Sequence, residues 1–253
     1  MRQSLLFIDM LGVRTLWHEG GTDAATIAFI RLREIVETAL MQLSYRKHVL
    51  VGEMESDSVV LICDNVRWAV KIGRAIFREA FVSTNDLANS RIWLRGAIVP
   101  YDGASSIRIA QRLDDPLAQV RVHEYHPSLL EVVSIEKSGI KGMRLVVAIV
   151  ESKKKTRKRL RYPVAGRAIP LVTRLHNLPY PERLSDFMDV FWMASETEEE
   201  WNLLNQIMDR RMRWAAKVPE EFIHAAATRV LFSECGAYVG STLKVDKVPM
   251  TEV

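Results

Sequence analysis

The sequence has few cysteines and no long apolar run. Its two cysteines, Cys63 and Cys235, lie far apart and form neither a CxxC pair nor a disulfide framework. This pattern predicts a reducing, cytoplasmic compartment. No uninterrupted apolar stretch approaches the length of a transmembrane helix. Asp9 interrupts the first apolar run, so we expect no signal peptide. The sequence also has no internal repeat and no low-complexity linker.

The sequence also has only a small excess of positive over negative charge. The net charge is only +4 over 253 residues, which does not argue for nucleic-acid binding by itself. Much of the excess lies in one basic run, residues 153–161. We interpret this run as a solvated hairpin loop or a sheet edge protected by charge. The alternative is a contact with a polyphosphate or nucleic acid, which the lack of interleaved aromatic residues disfavours.

The first apolar stretch carries one carboxylate. Residues 5–12 read LLFIDMLG, a short apolar run bounded by a glycine, which is typical of a buried strand. Asp9 lies near the end of this strand. A carboxylate in such a strand is costly unless it is paired, hydrogen-bonded or bound to a metal.

A second stretch has the same construction. Asp57 precedes the apolar run of residues 59–62, much as Asp9 follows one. If the two strands are neighbours, the two aspartates can share divalent metal ions, because Mg²⁺ is commonly held by one or two carboxylates plus substrate phosphates. The alternative is structural: Asp9 caps the next segment and Asp57 is a turn residue, a common place for aspartate.

The order of the predicted elements indicates an α+β fold. Strands are predicted at 5–11, 49–51, 59–63 and 94–99, the last stopped by Pro100. A loop is predicted at 17–22, followed by a helix at 24–43 with Asp23 as N-cap, and a second helix is predicted at 66–87. The apolar face of the first helix is expected to comprise Ile27, Ile30, Ile35, Ala39 and Leu43. The order of strands and helices matches a split βαβ, ferredoxin-like sheet with helices on one face. That topology would bring Asp9 and Asp57 together.

The remaining pattern predicts one more helix and strand and then a helical C-terminal extension. A third helix is expected at 127–137 and a strand at 143–150, followed by helices at 182–194, 196–216 and 219–232. We therefore expect a catalytic domain over residues 1–165 and a helical extension over 166–253. The extension is rich in Trp, Phe and Met, which favours packing on the domain or on a dimer partner over a cofactor site.

The motifs FIDMLG, SDSVVLIC and LRGAI, in this order and spacing, resemble the catalytic domain of class III nucleotidyl cyclases. More closely, they resemble the pyrimidine cyclases of the bacterial Pycsar anti-phage system. The segment HPSLLEVVSIEKSGIKGMRLVV is similar to the third helix and following strand of that family. The resemblance covers about residues 4–150, and the ordered set is more specific than any one motif.

The resemblance implies roles for particular residues. Asp9 and Asp57 match the two metal-binding aspartates, Met10 stands where the family uses a backbone carbonyl, and Arg95 matches the arginine of the RGAI strand. The implied cofactors are two Mg²⁺ or Mn²⁺ ions per site. The implied reaction is attack of the ribose 3′-hydroxyl on the α-phosphorus with release of pyrophosphate. The family also implies a head-to-tail homodimer.

The sequence departs from the purine cyclases at several positions. The Asn and Arg of their third helix align with Leu130 and Ser134. Glu53 and His123 align near the pair of residues that select the base in purine cyclases. Those enzymes usually have Asp or Cys at the position of His123. These departures favour a divergent base pocket, for which Glu53, Glu55 and His123 are candidates. The alternatives are that His123 is a surface loop residue and that both glutamates face solvent.

We therefore expect a uridylate cyclase, which makes cyclic UMP from UTP and whose signal, by the resemblance, activates an effector protein during phage infection. A cytidylate cyclase acting on CTP is the nearest alternative. A non-catalytic nucleotide-binding module is the second, motivated by the missing Asn and Arg. A relative that synthesises cyclic diguanylate is disfavoured, because no GGDEF-like signature is present.

Overall fold

The computed structural model describes residues 3–41, 45–55, 57–83, 92–101, 141–148, 153–164, 167–174 and 187–243. Nine strands lie within these ranges: β1 (Gln3–Leu11), β2 (Val49–Glu55), β3 (Ser58–Cys63), β4 (Trp93–Tyr101), β5 (Arg144–Ala148), β6 (Arg161–Val164), β7 (Arg167–Pro170), β8 (Val172–Arg174) and β9 (Phe187–Val190). The helices are α1 (Val13–Met41), α2 (Val66–Ser83), α3 (Lys153–Arg159), α4 (Glu198–Ala215) and α5 (Pro219–Leu243), with a short 3₁₀ helix at Tyr45–His48.

The main sheet has seven strands in the order β2-β3-β1-β4-β5-β9-β8. All neighbouring pairs are antiparallel except β4 and β5, which run parallel. The first four strands and the helices α1 and α2 therefore form the split βαβ arrangement that the sequence predicted, and the α+β fold class is confirmed. Strands β6 and β7 form a separate hairpin.

Both faces of the main sheet are buried. Leu6, Ile8 and Met10 of β1 belong to the main core with α1 and α2, while Leu5 and Phe7 belong to a smaller cluster on the opposite face. A strand buried on both faces needs apolar residues at nearly every position, which explains the continuous run in β1. Asp9 has the parity of Leu5 and Phe7, so it lies on the face opposite α1 and α2.

The first helix begins earlier than predicted. We expected a loop over residues 17–22 and a helix from 24, but α1 starts at Val13 and is broken only at Gly21 (φ 69°, ψ −166°). This conformation is not helical but is accessible to glycine, so Val13–Met41 consists of two helical segments joined by a kink at Gly21. The second segment agrees with the helix predicted from residue 24. The predicted apolar face was partly wrong: Ile35 and Ala39 are buried, whereas Ile27 and Ile30 are each 53% exposed.

The second helix and the third and fourth strands agree closely with the prediction. Asn65 caps α2, since its side-chain oxygen accepts hydrogen bonds from the N–H groups of Arg67 and Trp68. Strand β4 continues through Pro100 to Tyr101, two residues beyond the predicted end. The pairing of β4 with the described part of β5 runs from Arg95 to Ile98, whereas its pairing with β1 continues to Tyr101, and a proline near a strand end is tolerated.

The C-terminal part contains strands that the sequence did not predict. The helix expected at 182–194 is wrong, because Phe187–Val190 is a strand that pairs with β5. The basic run is also not a hairpin loop or a sheet edge, since Lys153–Arg159 forms a helix. The helix over 196–216 is confirmed as α4, with Thr197 as N-cap and three glutamates in its first turn. The last helix, α5, extends to Leu243.

The aromatic residues of the C-terminal part lie inside the protein. Trp192, Trp201 and Phe232 are at most 1% exposed and belong to the main core, and Trp192 contacts Phe232 edge to face. Their abundance is therefore explained by packing within one chain. The domain boundary at residue 165 stays a prediction, although β8 and β9 join the main sheet.

The cysteines and the lengths of the apolar helices can also be compared with the sequence prediction. Cys63 and Cys235 are free and buried, as the lack of a disulfide framework predicted. Within the part of the chain that the structure describes, no helix is both long and apolar enough to cross a bilayer.

Candidate active site

The candidate site lies at the end of β1, where the β2–β3 turn meets it. Asp9 pairs with Ser58, the first residue of β3, so the preceding turn residue Asp57 lies at the same end of the sheet. The backbone N–H of Met10 donates a hydrogen bond of 2.9 Å to the backbone carbonyl of Asp57. The structure thus brings Asp9, Met10 and Asp57 together, as the split βαβ topology required.

Arg95 reaches the same place from the other side of β1. It pairs with Asp9 in the antiparallel register of β1 and β4, and antiparallel partners share one face of a sheet. Its Nη2 lies 3.4 Å from Oδ2 of Asp9, and the side chains are only 13% and 17% exposed. The distance is long for a charge-assisted hydrogen bond but allows a close ionic contact.

Gly96 explains why this part of β4 can approach β1. A Cβ atom at Gly96 would lie 2.7 Å from the carbonyl oxygen of Phe7, closer than side-chain carbons come to backbone. Only glycine fits there without a shift of the strands. The glycine of the LRGAI motif therefore fixes the position of Arg95 beside Asp9.

The chemistry of this set suits a hard divalent cation. Two carboxylates and a backbone carbonyl offer only oxygen ligands, which Mg²⁺ and Mn²⁺ prefer. Among the described residues, no group of three or more His, Cys, Asp or Glu side chains could hold a metal ion. A site of two carboxylates would need water or substrate phosphates to complete its coordination, as is common for Mg²⁺.

The predicted base pocket is only partly described. Glu53 pairs with Val60, which pairs with Phe7, so it lies on the same face as Asp9 and one row away along the strands. Glu55 pairs with Ser58 at the last position of β2. His123 lies outside the described residues, as do Leu130 and Ser134. The proposed pocket of Glu53, Glu55 and His123 therefore stays a prediction.

A buried ion pair beside the site was missed by the sequence analysis. Arg144 is the register partner of Arg95 in the parallel pair β4–β5, and its Nε lies 2.7 Å from Oδ1 of Asp189 on β9. Its Nη2 also donates to the second carboxylate oxygen, and both residues are almost fully buried. The sequence signal for Arg144 is a charged residue within an apolar strand, which is also the kind of signal that identified Asp9. Asp189 was overlooked because its strand was interpreted as a helix.

Helix α5 holds the start of β5 next to this pair. The N–H of Gly142 donates to Nδ1 of His224, and the N–H of Met143 donates to the hydroxyl of Thr228. Burial, and then the charges of Lys141 and Arg95, lower the pKa of His224 to about 4. The imidazole is therefore neutral at physiological pH and acts as a hydrogen-bond acceptor through Nδ1.

Comparison with known proteins gives two results. No protein-family model matches the chain, and no curated protein sequence matches it. Several solved structures of nucleotide cyclases are similar to it at low identity.

The guanylyl cyclase Cya2 is 9% identical, with a TM-score of 0.47 over 75% of this chain and 91% of that one. Adenylate cyclases from Trypanosoma brucei in their monomeric state are 12% identical, with a TM-score of 0.45 over 74% and 85%. The active GGEEF domain of a diguanylate cyclase from Vibrio cholerae is 14% identical, with a TM-score of 0.34 over 42% of this chain and 66% of that one. Likenesses at these identities and scores do not establish an activity, and none of these three is a pyrimidine cyclase.

Proposed function

We propose that the protein is a metal-dependent nucleotidyl cyclase that forms a 3′,5′-cyclic nucleotide and pyrophosphate from a nucleoside triphosphate. The observation that carries the proposal is the placement of Asp9, Met10 and Asp57 at one end of the sheet, with Arg95 in contact with Asp9. The class of reaction comes from the resemblance of the motifs that carry these residues to the class III cyclases.

Each residue has a defined part in this proposal. Asp9, Asp57 and the carbonyl of Met10 would hold Mg²⁺ or Mn²⁺, which when bound would activate the hydroxyl and neutralise the phosphates. Arg95 adds a fixed positive charge that can donate to phosphate oxygens. The bond from the 3′-oxygen to the α-phosphorus forms, and the bond to the bridging oxygen breaks. The hydroxyl proton passes to solvent and pyrophosphate leaves.

The direct test offers the protein each of the four nucleoside triphosphates with Mg²⁺ or Mn²⁺ and identifies the products by mass spectrometry. A cyclic nucleotide that forms only with metal present supports the proposal. Tight nucleotide binding without any product would instead favour the non-catalytic module.

We further propose that UTP is the preferred substrate and CTP the second. Uracil presents an N3–H donor where cytosine presents an acceptor, and a carboxylate such as Glu53 or Glu55 can accept from that donor. A site built to hydrogen-bond one edge discriminates strongly against an analogue that leaves buried groups unpaired. A carboxylate can equally accept from the cytosine amino group, so competition between UTP and CTP for the same enzyme decides between the two bases.

The partners in this proposal follow from the resemblance. They are a second copy of the chain, which would complete the site across a head-to-tail dimer, and an effector protein that responds to the cyclic nucleotide during phage infection. The aromatic C-terminal residues no longer support the dimer, because they pack within one chain.

A further inference from the structure

A basic pocket lies on the helix side of the protein, apart from the candidate active site. It has a volume of about 580 Å³, within the range of small-molecule sites. Its walls come from the 3₁₀ helix, α2, the start of β6 and the beginning of α4, and include Tyr45, Lys71, Arg74, Arg78, Arg161 and Tyr162. Helix α2 packs on the face of Leu6 and Ile8, whereas Asp9 lies on the opposite face.

Positive charge is concentrated on the wall formed by α2. Arg67, Lys71, Arg74 and Arg78 all line the pocket and follow one another at spacings of three or four residues, which places them on one face of the helix. Like charges at these spacings destabilise a helix unless an anion offsets them. Within the described residues, only Arg78 of these four forms an ion pair, with Glu200.

Arg74 is the most unusual residue of the wall. It is 5% exposed, its guanidinium lies 3.8 Å from the centre of the Tyr162 ring, and its Nη2 donates to the carbonyl of Ala194. Its Nε has no hydrogen-bond partner among the described residues. A buried guanidinium with an unused donor, and with no carboxylate partner within the described ranges, carries a desolvation cost that a bound anion would offset.

Lys71 lies among other positive charges on the same wall of the pocket. It extends over the Trp68 ring, 4.4 Å from its centre, and His48 stacks on the same ring. Burial lowers the pKa of Lys71, and the charges of Arg67 and Arg74 lower it further. Three acidic residues also line the pocket: Glu200 pairs with Arg78, Glu196 interacts with Tyr162, and Glu79 has an interaction of its own. They are outnumbered by the five basic lining residues, Arg67, Lys71, Arg74, Arg78 and Arg161.

We propose that this pocket binds a small ligand that carries phosphoryl groups, held by Lys71 and Arg74. Arginine and lysine are the side chains that recognise phosphate oxygens through charge-assisted hydrogen bonds. The ligand contacts α2, the start of β6 and the beginning of α4 at once, so its binding stabilises the packing of the C-terminal part on the split βαβ unit. The site lies on the other side of the sheet from Asp9 and is independent of the proposed cyclase reaction.

The test is isothermal titration calorimetry of the full chain with inorganic tripolyphosphate in a buffer that contains EDTA. Removing divalent metal suppresses binding at the candidate active site, which is proposed to need it. We expect one equivalent to bind and the thermal midpoint of unfolding to rise with ligand concentration. Lys71→Gln should weaken binding by about tenfold, the ratio expected when one charge-assisted hydrogen bond is lost. Arg67→Gln, at an exposed residue, should weaken it by a smaller factor.

Two variants serve as controls. Lys154→Gln removes the same charge from an exposed position of α3 outside the pocket, and Asp57→Ala alters the candidate active site; both should bind like the wild type. The proposal is overturned if the wild type does not bind tripolyphosphate, or if Lys71→Gln binds as tightly as Lys154→Gln. It is also overturned if Asp57→Ala abolishes binding in EDTA, because the ligand would then occupy the active site.

Discussion

At the scale of single residues, the site depends on charges held next to apolar strands. Asp9 and Arg95 are mostly buried and lie beside each other on neighbouring strands, and Arg144 and Asp189 continue the charged region toward β9. Each of these charges has an opposite charge in contact, which offsets part of the cost of removing it from water. The arrangement keeps charged groups fixed at one end of the sheet, where a charged substrate could use them.

Glu53 tests the proposed choice of base. In a competition between equal concentrations of UTP and CTP, Glu53→Gln should reduce the preference for UTP by about tenfold, because a charge-assisted hydrogen bond is replaced by a neutral one. Glu55→Gln should be measured in parallel, and Glu198→Gln, at an exposed position of α4, should leave the ratio unchanged. Dominant cyclic CMP from the wild type would refute the choice of uracil. If Glu53→Gln and Glu55→Gln both keep the wild-type preference for UTP over CTP, base recognition by these carboxylates is ruled out, but the preference for UTP itself still holds.

His224 should make folding stability depend on pH. Because its pKa is lowered to about 4, the unfolded chain binds a proton below pH ~6.5 that the folded protein does not. Stability is therefore full above that pH and falls as the pH drops toward 4, by on the order of 2 kcal/mol after discounting for partial exposure. Urea unfolding at several pH values should show that His224→Asn flattens this slope, whereas His18→Asn, at an exposed position, does not. Equal slopes for all three proteins would contradict the assignment.

At the scale of elements, one arginine joins three segments. The buried guanidinium of Arg211 on α4 donates to the carbonyls of Ala80 and Phe81, near the C-terminal end of α2, and to that of Ile92 before β4. It also lies over the rings of Phe81 and Trp93. Carbonyls near the end of a helix lack partners within the helix, so Arg211 supplies donors that α2 needs.

Replacing this residue should be costly. Arg211→Met keeps much of the apolar volume but removes the donors that the guanidinium supplies to three buried carbonyls, so we expect a loss of about 3 kcal/mol in the free energy of unfolding. Arg213→Met, at an exposed position of the same helix, should change it by less than ~0.5 kcal/mol. Urea denaturation measures both. A variant at position 211 as stable as the one at position 213 would show that the carbonyls find other partners.

The sequence predicted elements where local pattern and packing agree. Strand β1 and helix α2 have clear periodicity and end signals, and the split βαβ order placed Asp9 and Asp57 at one end of the sheet. Arg95 was proposed from the family resemblance. The break at Gly21 was interpreted as a loop because the adjacent residues Gly20 and Gly21 are typical of loops, and the local pattern does not show that a helical segment precedes them. The strand at Phe187–Val190 was interpreted as a helix because four buried residues have no distinguishing period. Its state is decided by pairing with β5, which is distant in sequence.

At the scale of the whole molecule, the proposed dimer needs its own test. The resemblance to class III cyclases predicts that the active form is a homodimer, since the site would be completed by a second copy. Light scattering at assay concentration, combined with activity measured on the same sample, should show the mass of two chains. An active species with the mass of one chain would rule out a shared site.

Comparing cyclic-nucleotide formation by the wild type and by Asp57→Ala tests the proposed metal site most directly. The hydrogen bond from Met10 uses the backbone carbonyl of Asp57, so the variant keeps that contact and loses only the carboxylate. We predict product from the wild type with Mg²⁺ or Mn²⁺, and a rate at least ~10²-fold lower from the variant, comparable to the loss of one group that stabilises the transition state. Its thermal midpoint should be unchanged or higher, because repulsion between carboxylates is relieved. A folded Asp57→Ala protein that forms product at nearly the wild-type rate would contradict the account.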